Sequence, residues 1–374
     1  MPAKRAKATT KSTKSDKHVQ IFDRLAEMGH ENIVLCSDPS VGYRGIIAIH
    51  STVLGPALGG TRFWNYASDE EAIIDALRLA RGMTYKNAVA GLNLGGGKSV
   101  IIGDNKTHNR EMIFRAHGRF VEGLGGRYVT AEDVGTSTSD MDFVHMETEY
   151  VTGLAGRSGD PSPVTAHGVF RAIQASAKVR WGSDKLDGKF VALQGCGHVG
   201  YYLAKELAGA GAKLIVTDID ADRVNRVVNE FKAKAVRTEE IYGVRADIFA
   251  PCALGAVLND KTIPQLKVKV VAGAANNQLL AERHGDELER RKILYAPDYV
   301  ANAGGVINVY GEIAGWDPQR ALRKADEIYA TTLHVFELAR SERIPTYRAA
   351  DLLAERRLKA VGALVRTWPE WPNK

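Results

Sequence analysis

Apolar and polar positions along this chain follow two periods in turn. Apolar runs at 33–36 and 46–50, separated by the turn-rich segment 37–42, fit strands. A short helix-like segment after Val19 precedes them. The period then lengthens: Ala72, Ile73, Ala76, Leu77 and Ala80 share one helical face. Ser68, three residues before Glu71, opens that helix with a capping-box pattern, and its C-terminal end runs to Met83 and the lysines beyond. Residues 111–123 form another helical pattern, with Tyr128 and Val129 strand-like after it. Two stretches break the pattern. Residues 55–60, GPALGG, read as a loop of small residues, and Gly95, Gly96 and Gly97 read as a second loop running into the apolar Val100, Ile101 and Ile102.

Glycines and prolines concentrate between 153 and 163, which marks a domain boundary. Strands and helices alternate beyond it. A buried strand at 190–194 leads into Gly195-Cys-Gly-His-Val-Gly200, a helix at 201–209, and a strand at 214–217 that ends at Asp218. In that order the glycines permit a tight turn and close approach to a pyrophosphate, whose charge the helix N-terminus stabilises. This is a dinucleotide-binding fingerprint. Asp218 selects NAD, because its carboxylate suits a ribose 2′-hydroxyl and repels a 2′-phosphate, and no arginine follows until Arg223. Further strands fall at 247–250, 269–272 and 293–295. Asn277 and Asn302 follow strand ends, where they can meet the nicotinamide or substrate or simply hydrogen-bond their own loops.

Composition narrows the class. With 374 residues, 45% hydrophobic and 25% charged, the chain has material for about two domains. No apolar run approaches the roughly 18 residues of a membrane span, and no secretory signal precedes Val19, so a cytoplasmic protein without a membrane partner is expected. Three widely spaced cysteines suit reduced thiols better than a disulfide frame or a metal site. Of the net charge of +6, +5 lies in residues 1–18, leaving +1 for the remainder. That Lys/Ser/Thr-rich arm is expected to be disordered and to act as a solubilising extension or a weak polyanion contact; a nucleic-acid partner is not expected.

The candidate chemistry sits between Lys86 and Lys98. A lysine where glycines meet a buried strand loses hydration, which lowers its pKa toward that of a general acid/base. The alternative is a glycine turn carrying two solvated lysines. Asp133, just past the Tyr128 strand, is a turn or capping residue taken alone. Beside two lysines it can form a proton-transfer pair.

GPALGGTRFW (55–64), MTYKNAVAGLNLGGGKSVIIGD (83–104), RYVTAEDVGT (127–136), VVAGAANNQL (270–279) and APDYVANAGGVINV (296–309) together resemble the Glu/Leu/Phe/Val amino-acid dehydrogenase family. The resemblance extends from about Val19 to Arg357. It implies an α/β fold of two domains with the active-site cleft between them. Residues 19–152 plus C-terminal helices in 345–374 would form a substrate-binding and oligomerisation domain, and residues 153–344 a Rossmann-type NAD-binding domain. Lys98 and Asp133 would be catalytic. Lys86, with Asn277, would hold the substrate α-carboxylate, Gly59 and Gly60 would line the site by backbone contact, and Leu58, Met83, Ala131, Val306 and Val309 would surround the substrate side chain. Gly195, Gly197, His198, Val199, Gly200 and Asp218 would bind NAD, with Thr165, Ala275, Asn277 and Asn302 near its nicotinamide. No metal is implied.

The implied reaction is reversible oxidative deamination of leucine, isoleucine and valine, or alternatively of aromatic amino acids, by a homo-oligomer. Family members are commonly octamers, and a dimer is the alternative state. Neither the basic arm nor the Trp/Pro-rich end after Arg357 fits the family pattern. Two other classes remain. A 2-hydroxy-acid dehydrogenase would use a histidine base, which the Lys86 to Asp133 cluster lacks, and a catalytically silent NAD-binding regulator would be expected to have lost Lys98 or Asp133.

Overall fold

A computed structural model describes residues 20–154, 156 and 159–364. The basic arm and the Trp/Pro-rich end lie outside these residues. The first unit comprises α1 (Ile21–Met28), β1 (Asn32–Asp38), β2 (Tyr43–Ser51), β3 (Ala57–Trp64), α2 (Asp69–Val89), β4 (Gly95–Ile102), α3 (Arg110–Glu122), β5 (Tyr128–Glu132) and α4 (Thr138–His145). Its strands form one sheet in the order β1-β2-β4-β3-β5. β1, β2 and β4 pair antiparallel, whereas β4, β3 and β5 run parallel.

Both faces of this sheet are covered. Ile46, Ala48 and Val100 pack with Ala72, Ala76, Leu77 and Ala80 of α2. Ile47, Ile49, Phe63 and Ile101 pack with Phe114, Val121 and Met141 of α3 and α4. Burial on both faces explains why β2 is continuously apolar from Ile46 to Ile49.

Both glycine-rich stretches are strands, not loops. Gly59 and Gly60 lie inside β3, and Gly95, Gly96 and Gly97 begin β4. None of these five has positive φ; what they provide is absence of bulk. A Cβ on Gly96 would stand 2.1 Å from the Thr84 nitrogen of α2, and one on Gly59 would stand 1.7 Å from the Gly97 oxygen. α2 also continues past Met83 to Val89, so Lys86 is a helix residue. Its start agrees with the expected cap, since Ser68 accepts the Glu71 N–H at 3.1 Å.

The second unit comprises α5 (Ser162–Trp181), β6 (Phe190–Gln194), α6 (His198–Gly209), β7 (Lys213–Thr217), α7 (Ala221–Phe231), β8 (Lys234–Ala235), β9 (Ile248–Pro251), β10 (Val270–Val271), α8 (Glu282–Arg290), β11 (Leu294–Tyr295), α9 (Asp298–Ala301), α10 (Gly304–Ile313), α11 (Pro318–Asp326) and α12 (Ile328–Glu342). In its all-parallel sheet, β8-β7-β6-β9-β10-β11, the order in which strands are added reverses between β6 and β9. This is the doubly wound dinucleotide-binding order, with the ligand crevice at the reversal. A final helix, α13 (Thr346–Gly362), packs against α2 and α12. Two apolar clusters join the units: Leu58, Leu92 and Val129 meet Val164, Val306 and Ile307, while Tyr85 and Ala88 meet Val300, Leu338 and Ala350.

A buried polar network pins the central strands. Thr61 Oγ1 lies 2.6 Å from Ser99 Oγ, 2.5 Å from Thr130 Oγ1 and 2.9 Å from His117 Nε2, and His117 Nδ1 lies 2.9 Å from the Tyr43 hydroxyl. Burial lowers the His117 pKa to about 3 and that of His50 to about 4. Both are neutral when folded, so the stability they contribute is full above the unfolded-state value near 6.5 and is lost as pH falls toward those folded values. Urea unfolding at a series of pH values should show stability decreasing below pH ~6.5, each histidine adding up to about 1.4 kcal/mol per pH unit. His117→Gln should make that slope shallower.

Candidate active site

A cleft of about 340 Å³ lies between the two units. β3 contributes Leu58, Gly59 and Gly60, α2 contributes Met83 and Lys86, and β4 contributes Lys98. Ala131, Glu132 and Asp133 come from the end of β5 and the residue after it. Thr165, Val199, Ala274, Asn276, Asn302, Gly305, Val306 and Val309 form the facing wall.

Lys98 is only 4% exposed, and its Nζ lies 2.9 Å from Asp133 Oδ1. Burial lowers the lysine pKa, against the opposing pull of Asp133. Burial would raise Asp133, but the charges of Lys98 and Arg62 outweigh it and hold the carboxyl below its usual range. Gly60 makes this placement possible, since a Cβ there would stand 2.5 Å from Glu132 O and 2.9 Å from Asp133 Cβ.

Lys86 Nζ donates to Asn276 Oδ1 at 3.1 Å, and Asn302 Nδ2 donates to the same oxygen at 2.9 Å. Burial lowers the Lys86 pKa to about 8, partly offset by Asp298. Asp298 accepts the backbone N–H groups of Gln278 at 2.8 Å and Tyr299 at 2.6 Å.

Two expected positions shift by one residue. Asn276, rather than Asn277, lines the cleft, while Asn277 has φ 51° and faces a neighbouring chamber. Ala274 lines the cleft, whereas Ala275 is buried with its N–H on Pro251 O at 2.9 Å. Both shifts fall in a tightly turned connection after β10, where facing cannot be counted from a strand end.

The sequence reading also missed Arg62. Its Nε donates to Asp133 Oδ2 at 3.0 Å and its Nη1 to Asp75 Oδ2 at 2.7 Å, while Asp75 also accepts from Tyr66 at 2.8 Å and Arg78 at 2.9 Å. Asp133 is thus gripped through both oxygens. The signal was present: once 57–64 is read as a strand, Arg62 falls on the same face as Gly60.

The dinucleotide cradle lies at the C-terminal end of β6. Gly195 has φ 100°, and a Cβ on Gly200 would stand 2.0 Å from Gly195 O. At Gly197 the nearest atom to such a Cβ is Arg223 Nη1, 3.6 Å away, and no side chain caps the α6 N-terminus. The first-turn N–H groups therefore remain available to an anion, which fits a pyrophosphate. Asp218 accepts the Cys196 N–H at 2.6 Å and the Asp220 N–H at 3.0 Å. His198 is largely exposed, 3.7 Å from Asp160. Arg223 stands closer to this cradle than its place in sequence suggested, with Nε 3.0 Å from Asp220.

Comparison with known proteins agrees with this geometry. Residues 30–150 match the Glu/Leu/Phe/Val dehydrogenase dimerisation domain, and residues 216–360 match the Glutamate/Leucine/Phenylalanine/Valine dehydrogenase domain. The chain belongs to the Glu/Leu/Phe/Val dehydrogenase family. It is 59% identical to leucine dehydrogenase of Thermoactinomyces intermedius over 91% of this chain and 94% of that one. It is 57% identical to leucine dehydrogenase of Bacillus cereus over 92% and 94%. The crystal structure of L-tryptophan dehydrogenase from Nostoc punctiforme superposes with a TM-score of 0.83 at 45% identity, covering 91% of this chain and 99% of that one. Family membership makes the chain an amino-acid dehydrogenase, a class that uses a nicotinamide cofactor.

Arg62→Met would leave Asp133 with Lys98 as its one close cation. The carboxyl would then protonate at higher pH, moving the acid limb of the kcat/KM profile for amino-acid oxidation upward by about one pH unit. Arg62→Lys should shift it less, and an unmoved limb would mean that Arg62 does not tune Asp133.

Proposed function

We propose that the protein catalyses NAD-dependent, reversible oxidative deamination of branched-chain aliphatic L-amino acids to 2-oxo acids and ammonia. The carrying observation is a cleft in which Lys98 and Asp133 face a second lysine, Lys86, while the remaining wall offers Leu58, Met83, Val306 and Val309. The identity to leucine dehydrogenases supports the same substrates.

In this reading Lys86 and Asn276 hold the substrate α-carboxylate. A nicotinamide held near Thr165 and Asn302 would supply the hydride acceptor for Cα, leaving an iminium carbon on the substrate. Lys98, kept less basic by burial, removes a proton from the water that adds to that carbon, and Asp133 exchanges protons with the nitrogen as ammonia leaves. Amino acid, NAD and water thus become 2-oxo acid, ammonia, NADH and a proton. The packed units keep bulk water from the hydride path.

The cleft's charged lining residues are Lys86, Lys98, Glu132 and Asp133, so a glutamate side chain would meet apolar walls or an acid. An unpaired buried carboxylate costs several kcal/mol, which excludes glutamate. Discrimination among leucine, isoleucine and valine is shallow, because one methylene is worth only about 1–3 kcal/mol. A second reading, an aromatic amino acid, draws on the tryptophan dehydrogenase relationship.

NAD is favoured by the carboxylate of Asp218, although Arg223 offers a nearby counter-charge for a 2′-phosphate. A homo-oligomer is supported by the match to a dimerisation domain, with an octamer the state implied by family resemblance. Among the described residues no helix is long and apolar enough to cross a membrane, and with three free cysteines we assign the enzyme to the cytoplasm.

NADH formation with a panel of leucine, valine, phenylalanine, tryptophan and glutamate tests the substrate class: leucine should lead and glutamate fail, whereas an aromatic leader would transfer the assignment to the second reading. Lys98→Ala should lower kcat by a factor on the order of 10² or more while NAD binding persists. Val309→Ala should shift kcat/KM toward larger side chains. Wild type should prefer NAD to NADP, and Asp218→Ser should narrow that preference; equal efficiency in wild type would refute the cofactor assignment.

A further inference from the structure

Behind the catalytic pair lies a second chamber, of about 250 Å³. Lys86, Lys98, Asp133, Asn276 and Met83 line both it and the substrate cleft, so the two hollows meet where the groups assigned to carboxylate binding stand beside those assigned to proton transfer. The outer part of the chamber passes Gly82 and Arg78 on the exposed side of α2. It therefore runs from the surface to a lysine that is itself almost fully buried. Its lining offers hydrogen-bonding partners among apolar surface, with arginine, lysine, aspartate, asparagine and tyrosine side chains all present. Arg81 donates to the Tyr85 hydroxyl at 3.0 Å, and Tyr299 donates to Asp351 at 2.6 Å. A hollow of this size with such partners holds several waters, where a wholly apolar one would stay dry.

Gly82 is the position from which the chamber can be obstructed. Glycine inside a helix is less stable than alanine, and Gly59, Gly60, Gly95 and Gly96 are explained by backbone that leaves no room for a Cβ. Gly82 has ordinary φ, and a Cβ there would meet nothing within 4 Å. Neither conformation nor packing requires a glycine at this place. Because Gly82 lines the chamber, a bulky side chain there, unlike a methyl group, would narrow it.

Resting on the deamination reading, we propose that this chamber is the passage by which water reaches the reacting carbon and ammonia leaves it. The reaction takes up one water and releases one ammonia at a centre whose front is covered by amino acid and nicotinamide. Bound ligands in such clefts have roughly 70–90% of their surface buried. Small polar molecules then need a rear entrance, and the chamber ends at Lys98 and Asp133, where water loses a proton and the nitrogen gains one.

The test is steady-state kinetics in the reductive direction, with ammonia, 2-oxo acid and NADH each varied. Gly82→Trp should lower kcat/KM for ammonia by about tenfold, the loss expected when access of one reactant is obstructed, with the values for 2-oxo acid and NADH within about twofold of wild type. Gly82→Ala should keep wild-type kinetics and raise the melting temperature, which shows that the site tolerates a side chain and that bulk in the passage is what matters. Equal losses for all three substrates, or an unchanged value for ammonia in a folded Gly82→Trp protein, would overturn the passage. A wild-type enzyme without leucine-dependent NADH formation would instead overturn the reading on which it rests.

Discussion

The seating of α2 directly on the glycine strand is the contact on which the rest of the site depends. A side chain at Gly95, Gly96 or Gly97 would run into Ser51 O, the Thr84 backbone or the Tyr128 ring respectively. Of the three, Gly96 faces α2, and its missing side chain lets the helix backbone come directly against the strand. Lys86 on the helix and Lys98 on the strand then open into one cleft. Asn87 secures the contact from the helix side by donating to Gly95 O at 2.5 Å. A methyl group at Gly96 would have to push α2 outward, taking Lys86 away from Asn276.

Two like charges in a buried cleft repel and lose hydration, and the surroundings answer each lysine differently. Lys98 receives a direct partner, Asp133, which is itself fixed by Arg62, and Arg62 in turn by Asp75. Lys86 receives a neutral amide at contact and a carboxylate, Asp298, that acts through its field. Lys86 thus keeps its charge available to an incoming anion, and Lys98 is held to its carboxylate. The difference in partners supports the division between binding and proton transfer.

Much of this arrangement was legible in the chain. The GxGxxG segment between two apolar strands with Asp218 at the end of the second has few physical readings, and strand order and reversal followed it. The capping pair Ser68 and Glu71 located the start of α2 for the same reason, since the signal is local. The glycine-rich stretches misled because glycine carries two meanings, freedom of φ and absence of bulk. Only tertiary contacts decide between them, and here bulk was the constraint. Arg62 and Asn276 escaped because their partners are distant in sequence, and the facing of a residue in a tight turn follows from contacts the pattern does not encode.

The two halves of the cleft are built on different supports. Lys86, Lys98 and Asp133 belong to the first unit, whose central strands are tied together beneath them by the hydroxyls of Thr61, Ser99 and Thr130 and by His117. Val306 and Val309 stand on α10, which packs on α5 and α11 and shares none of those bonds. Substitutions at these two positions would reshape part of the apolar wall, shared with Leu58 and Met83, while leaving that hydroxyl network in place. On the proposed reading, selectivity can therefore be tuned from α10 with the support beneath the proton-transfer pair untouched.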